Sequence, residues 1–259
     1  MLKTRVIPCL LLKGQGLVKT VQFRDPRYVG DPINAVRIFN EKGVDELILL
    51  DIKATVEQRG PQMKLISEIA SECFMPLCYG GGVCKLEDIK EVLSLGVEKV
   101  AVNTSAVENN DLIRDAAQMF GSQSIVVAID VKQNTQGNYE VFTHGATVGT
   151  KLDPVEYAKR MEGIGCGEIF LNSIDRDGAM RGYDIELIRR VSHAVSIPVI
   201  ACGGAGRLSD FKEAVELGGA SAVSAGSFFV FHGKLRGVLI TYPSEQELDE
   251  VLQESVGRS

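Results

Sequence analysis

The chain has 259 residues, 45% of them hydrophobic, and a formal net charge of -6. That size and apolar content suffice for one large α/β barrel or for two smaller domains. The acidic balance speaks against a nucleic-acid or membrane surface, and no apolar run approaches the roughly 18 residues of a membrane-spanning helix.

The first element, RVIPCLLL (5–12), is a continuous apolar run that reads as a buried strand. The N-terminal stretch lacks a small-residue cleavage site, so it is not a secretory leader and the expected location is the cytoplasm. The strand opens into KGQG, in which Gly14 and Gly16 permit unusual backbone angles; the course of 13–30 is left open. Helix-like and strand-like segments then alternate: PINAVRIFNEKG, ELILLDI, MKLISEIASE, MPLCYGGG, LEDIKEVLSLG, KVAVN and NDLIRDAAQMFG. The alternation restarts with SIVVAID (124–130) and continues through PVEYAKRMEGIG, EIFLNSI, IELIRRVSHAV, PVIACGG, LSDFKEAVELG and AVSAG to a weaker helical tail.

A shift of 122 residues lays DELILLDIKATVEQRG over GEIFLNSIDRDGAMRG, and YGGGVCKLEDIKEVLSLG over ACGGAGRLSDFKEAVELG. A period this long is half of a domain built twice. Eight strands alternating with eight helices in a twofold repeat point to a single (β/α)8 TIM barrel over 1–259, with half-barrels at about 1–122 and 123–245 and a C-terminal helical tail; a doubly wound open sheet is the alternative.

On a barrel the loops after the strands build the active site. Those after strands 3, 4, 7 and 8 contain Gly81 and Gly82, Asn103 and Thr104, Gly203 and Gly204, and Gly226 and Ser227. Glycine lets backbone N–H groups approach an anion, and a hydroxyl at the start of the next helix adds a donor. Two such pairs, one per half, fit a phosphorylated small molecule with a phosphate at each end. At the strand starts stand Arg5, Glu46, Lys99 and Glu168, two charges of each sign. The six cysteines lack C-x-x-C spacing and the three histidines lie apart, so the cysteines read as reduced thiols and neither a metal nor a cofactor is expected.

RVIPCL, GLVKTVQF, DELILLDI, YGGGV, VAIDVK, SIDRDGAMRGYD and ACGGAG together resemble the cyclase subunit of imidazole glycerol phosphate synthase, the HisF type, a lyase family of histidine biosynthesis. The resemblance covers nearly the whole chain. It implies that Asp130 is one of two catalytic aspartates, that Lys19, Asp51, Asp177 and Gly178 belong to the substrate site, and that Arg5, Glu46, Lys99 and Glu168 gate a channel for ammonia from a docked HisH-like glutaminase. The other aspartate falls at Leu11, and Lys53 stands where the family carries a small hydroxyl residue. No Asp or Glu lies between Met1 and Arg24 to substitute. Proton transfer at two sites of one substrate needs two titratable groups, and leucine is not one. The combination points to a HisF-like paralogue that keeps ammonia delivery and serves acetamidino modification of a surface-polysaccharide sugar, with a sugar amidotransferase as a further partner. The alternatives are an authentic cyclase working with Asp130 alone and a non-catalytic scaffold that activates the glutaminase.

Overall fold

The computed structural model describes residues 3–233 and 235–253. The expected span of 1–259 thus includes residues 1, 2, 234 and 254–259, the end of the tail among them, that lie outside the described residues. Eight parallel strands, β1 (Arg5–Lys13), β2 (Leu47–Asp51), β3 (Leu77–Gly80), β4 (Lys99–Val102), β5 (Ile125–Gln133), β6 (Glu168–Ser173), β7 (Val199–Cys202) and β8 (Ala222–Ala225), pair in sequence order. Pairing of β8 with β1, with Arg5 opposite Ala222, closes the circle into a (β/α)8 barrel. The open-sheet alternative falls with that closure.

The helices are α1 (Pro32–Lys42), α2 (Met63–Glu72), α3 (Leu86–Ser94), α4 (Asn110–Phe120), α5 (Pro154–Ile164), α6 (Ile185–Ser192), α7 (Leu208–Glu216) and α8 (Glu245–Gln253). The repeat reaches their ends. Asp31 and Asp153 cap α1 and α5 through their side chains, each followed by proline at the first helical position, and Gly43 and Gly165 end the same helices in the left-handed conformation. The buried carboxylates of Asp88 and Asp210 likewise accept the backbone amides of Lys85 and Arg207, at 3.2 and 2.9 Å, at the starts of α3 and α7.

Strand residues alternate between two cores. One face packs Val6, Leu10, Leu49, Tyr79, Ile129 and their neighbours against the helices. The other fills the barrel with Ile7, Cys9, Ile48, Cys78, Ala101, Val126, Ala128, Phe170, Ile200, Cys202 and Ala222.

The segment 13–30, left open by the sequence, is an antiparallel ribbon. β1 turns at Gly14, with φ 63°, so that Lys13 pairs with Gly16, and Gly16–Val21 then pairs with Arg24–Gly30. A second, unforeseen ribbon follows β5, where Tyr139–Thr143 folds back so that Asp130 pairs with Phe142. Both ribbons rise over the strand ends of the barrel.

Candidate active site

A cavity of about 500 Å³ opens at the strand ends. The structure places all the residues expected there around it: Leu11, Lys19, Asp51, Gly81, Gly82, Asn103, Thr104, Asp130, Asp177, Gly178, Gly203, Gly204, Gly226 and Ser227, with Lys53 beside them.

The backbone shows that Leu11 and Asp130 are equivalent positions. The amide of Ile52 donates to Leu12 O at 3.1 Å and that of Ile174 to Val131 O at 2.9 Å, so the residue before each acceptor occupies the same place in its half. Leu11 is in register with Leu50 across β1 and β2, as Asp130 is with Asn172 across β5 and β6. One half therefore presents a hydrocarbon pair to the cavity and the other a carboxylate beside an amide.

Asp130 is raised from the ordinary 3.8 to about 7, chiefly by burial and then by the neighbouring negative charge of Asp177, while Asn172 favours the charged form. A carboxyl group poised there can give or take a proton at neutral pH. Asp177 is also raised by burial; the Thr20 hydroxyl at 2.8 Å and the Phe23 amide at 3.3 Å pull it back and tie it to the first ribbon. Gly178 allows this closeness, since a Cβ there would lie 2.1 Å from Thr20 O. Lys19 is buried, donates to the carbonyl of Cys9, and is depressed by desolvation. Its ammonium occupies the space that a side chain at position 226 would take.

Asp51 is committed to holding its own loop. Arg59 meets it with two nitrogens, at 2.7 and 2.9 Å, and the Gln62 amide adds a bond at 2.9 Å. The backbone amides of Lys53 and Ala54 complete its shell at 3.1 and 3.2 Å. With every lone-pair direction engaged, its part in the site is to shape the wall.

The glycines after β3 and β7 are required by close approach. A Cβ on Gly81 or Gly82 would lie 2.4 Å from Asp51 O or 2.5 Å from Arg59 O, and one on Gly204 would lie 2.2 Å from Gly182 O. These glycines and Gly203 have positive φ. Among the described residues the amides of Gly82 and Gly204 donate to no other group. Thr104 and Ser227 each open a short helix beside them, Thr104–Glu108 and Ser227–Val230. Asn103 is braced to Ala128 O at 3.0 Å, and the Thr104 hydroxyl accepts the His144 amide at 3.1 Å, locking this loop to the second ribbon.

At the opposite end of the barrel the four charged residues form a closed ring. Arg5 bonds Glu46 through one nitrogen and Glu168 through another. Lys99 bonds Glu46 at 3.0 Å and Glu168 at 2.9 Å. Burial alone would depress both cations, but the two glutamates outweigh it and both end above their ordinary values. Each charge meets two of opposite sign, and loss of one partner from such a buried set costs about 3–5 kcal/mol.

Sequence reasoning did not single out Asn172, Arg59, His144, Phe170 or the pair Cys9 and Cys202, which lie together in the cavity wall. Asn172 carried a legible signal: it is a lone amide inside the strand run EIFLNSI, on the same face as Phe170 and Glu168. The cysteine pair had none, because its members lie on β1 and β7 with β8 between them.

Comparison with known proteins accords with this architecture. The family model described as "Histidine biosynthesis protein" matches residues 5–236. A provisionally named imidazole glycerol phosphate synthase subunit hisF2 of Pseudomonas aeruginosa is 55% identical over 249 residues, covering 96% of this chain and 99% of that protein. A HisF subunit of Leptospira interrogans, named in the same provisional way, is 48% identical over 95% of this chain and 98% of its own length, and the hisF3 subunit of Vibrio vulnificus is 46% identical over 98% of each. The chain belongs to the histidine biosynthesis protein family and within it is a HisF-like barrel.

Proposed function

We propose that this chain is the HisF-like subunit of a glutamine-dependent ammonia-transfer complex in the cytoplasm. A HisH-like glutaminase docks on the base as the other half of a heterodimer, ammonia passes the ring of Arg5, Glu46, Lys99 and Glu168, and the nitrogen reaches the cavity for acetamidino modification of a surface-polysaccharide sugar, with a sugar amidotransferase as acceptor protein. The observation that carries this reading is the contrast between a complete charged ring at one end of the barrel and Leu11 in the acid–base position at the other. The interior between them is apolar, with Cys78, Ala101 and Val126 among its side chains, a setting that disfavours the ammonium ion relative to neutral ammonia. The numbered names hisF2 and hisF3 of two relatives suit an additional copy of the gene.

The loops bearing Gly82 and Thr104, and those bearing Gly204 and Ser227, are the proposed seats for the phosphates of a small molecule. Phe74, 84% exposed in the loop between α2 and β3, offers an aromatic anchor on the base. Glu98 is a poor probe of docking, since its carboxylate accepts the Leu77 amide at 2.7 Å and its reversal would disturb β3. The test is glutamine hydrolysis by the cognate glutaminase with and without this chain. A rise is expected, and it should weaken by at least tenfold in apparent affinity with Phe74→Lys; no rise at concentrations where the two co-purify would overturn the reading.

A histidine-pathway cyclase working with Asp130 alone is the second reading. It is favoured by the carboxyl group poised at about 7.

A further inference from the structure

Lys19 is 5% exposed and lines the cavity, and its side chain meets one acceptor, the carbonyl of Cys9. Among the described residues no carboxylate stands within ion-pair distance of its nitrogen. A buried ammonium without a counter-ion is costly, and burial depresses Lys19 toward the neutral amine. An amine in such a setting is a nucleophile toward a carbonyl group. The nitrogen stands against Gly226, where a side chain would displace it, on a loop proposed above as a phosphate seat. The titratable groups whose charges act on it are Cys9 on β1, Cys202 on β7 and Asp177 in the loop after β6. Arg24 and Asp25 of its own ribbon, Asp51, Lys53, Asp130 and His144 complete the titratable lining of the cavity. Asp177 Oδ2 accepts the Thr20 hydroxyl and the Phe23 amide, and its Oδ1 has no partner among the described residues.

We propose that the Lys19 amine forms an imine with the carbonyl carbon of a small phosphorylated ketone or aldehyde whose phosphate rests on the loop of Gly226 and Ser227. The Nζ lone pair attacks the carbonyl carbon, and the carbonyl oxygen takes up a proton to give a carbinolamine. That oxygen then leaves as water with the two hydrogens lost from the nitrogen, and the C=N bond closes; addition of water reverses the step. No oxidant, reductant or third reactant is consumed. The Cys9 carbonyl holds one N–H and leaves the lone pair available. Asp177, raised by burial so that it can carry a proton, supplies one to the departing oxygen and takes it back on hydrolysis. The proposal rests on the phosphate-seat reading for its ligand, while the covalent step is measured separately.

The test is peptide and intact-mass measurement of the chain after incubation with dihydroxyacetone phosphate and reduction with sodium borohydride, with dihydroxyacetone as the probe that lacks phosphate. One reduced adduct per chain is expected, on the peptide that holds Lys19, at least tenfold above the labelling of the exposed Lys64. Lys19→Arg keeps a cation but cannot form the imine, so the adduct should fall at least tenfold, with thermal melts to establish that the variant is folded. Should the variant not fold, the peptide map of the parent chain carries the test alone. Labelling spread evenly over the exposed lysines, or an undiminished single adduct in folded Lys19→Arg, overturns the proposal. Absence of an adduct on Lys19 while inorganic phosphate still raises the melting temperature overturns the imine and leaves the phosphate seat. Equal labelling of Lys19 by both probes supports the imine and removes the seat.

Discussion

The two half-barrels share a backbone and divide the chemistry. In the first, Leu11 and Leu50 stand in register across β1 and β2; in the second, Asp130 and Asn172 stand in register across β5 and β6. The loops after β2 and β6 diverge in the same way. Asp51 is locked by Arg59 and Gln62, whereas the matching Ser173 has no carboxylate and the matching Arg181 is exposed without an ion-pair partner among the described residues. A duplicated scaffold thus holds its register through capping, closure and core packing, while the pairs Leu11 with Leu50 and Asp130 with Asn172 differ between the halves without disturbing it.

The largest expected effect comes from restoring symmetry at Leu11. With the bisphosphate precursor of the histidine pathway and free ammonia, Leu11→Asp should turn over about 10²- to 10⁴-fold faster than the parent, the usual contribution of an acid–base group. Lys53→Thr is expected to add to it. An unchanged rate in the double variant would mean that the missing carboxylate does not limit the chemistry.

Next in size is the divergence of the loops. Arg59→Ala leaves Asp51 buried without its cation and should destabilise the fold by about 3–5 kcal/mol. Arg181→Ala, at the matching exposed position, should stay within about 0.5 kcal/mol. Equal losses in chemical denaturation would erase the distinction drawn between these loops.

Asp130 should show itself in the pH dependence of stability. Its folded value of about 7 lies above the ordinary 3.8, so between those values the folded chain keeps a proton that the unfolded chain has released. Stability attributable to this group therefore falls as pH rises through that window. Asp130→Asn removes the fall: little difference from the parent is expected near pH 4, and a relative gain of roughly 4 kcal/mol above pH 7. A parallel pair of stability curves would place Asp130 in a solvated setting.

The smallest effect tests what the halves have in common. Asp88→Ala and Asp210→Ala each remove a carboxylate that accepts two backbone amides at a helix start, and should each cost about 1 kcal/mol, with similar values for the two.

Much of this was legible in the sequence because periodicity, caps and the long repeat are properties of neighbouring residues. The strand order, the four glycine-bearing loops and the gathering of Arg5, Glu46, Lys99 and Glu168 at one end all follow from placing residues at strand starts or ends, while their closing into a ring was what the family resemblance implied. The ribbon over 13–30 was not legible, since Leu17, Val18, Lys19 and Thr20 are buried in succession and the residues from Arg24 to Tyr28 are exposed in succession, which leaves no alternating pattern. The part of Asp51 was also hidden, because a carboxylate that binds a substrate and one that binds Arg59 look alike in a sequence. Asn172 and the pairing of Cys9 with Cys202 depend on which strands become neighbours around a closed barrel, which a linear reading does not display.

The central claim is that ammonia delivery persists in a barrel whose ring-closing chemistry does not. It is tested most directly by expressing the unmodified chain, with its glutaminase, in a strain that lacks the histidine-pathway cyclase and has no histidine supplied. No growth is expected, with soluble chain present in the cells and glutamine hydrolysis stimulated in their extract; growth at a rate near that given by an authentic cyclase would contradict the claim and show that Asp130 alone suffices.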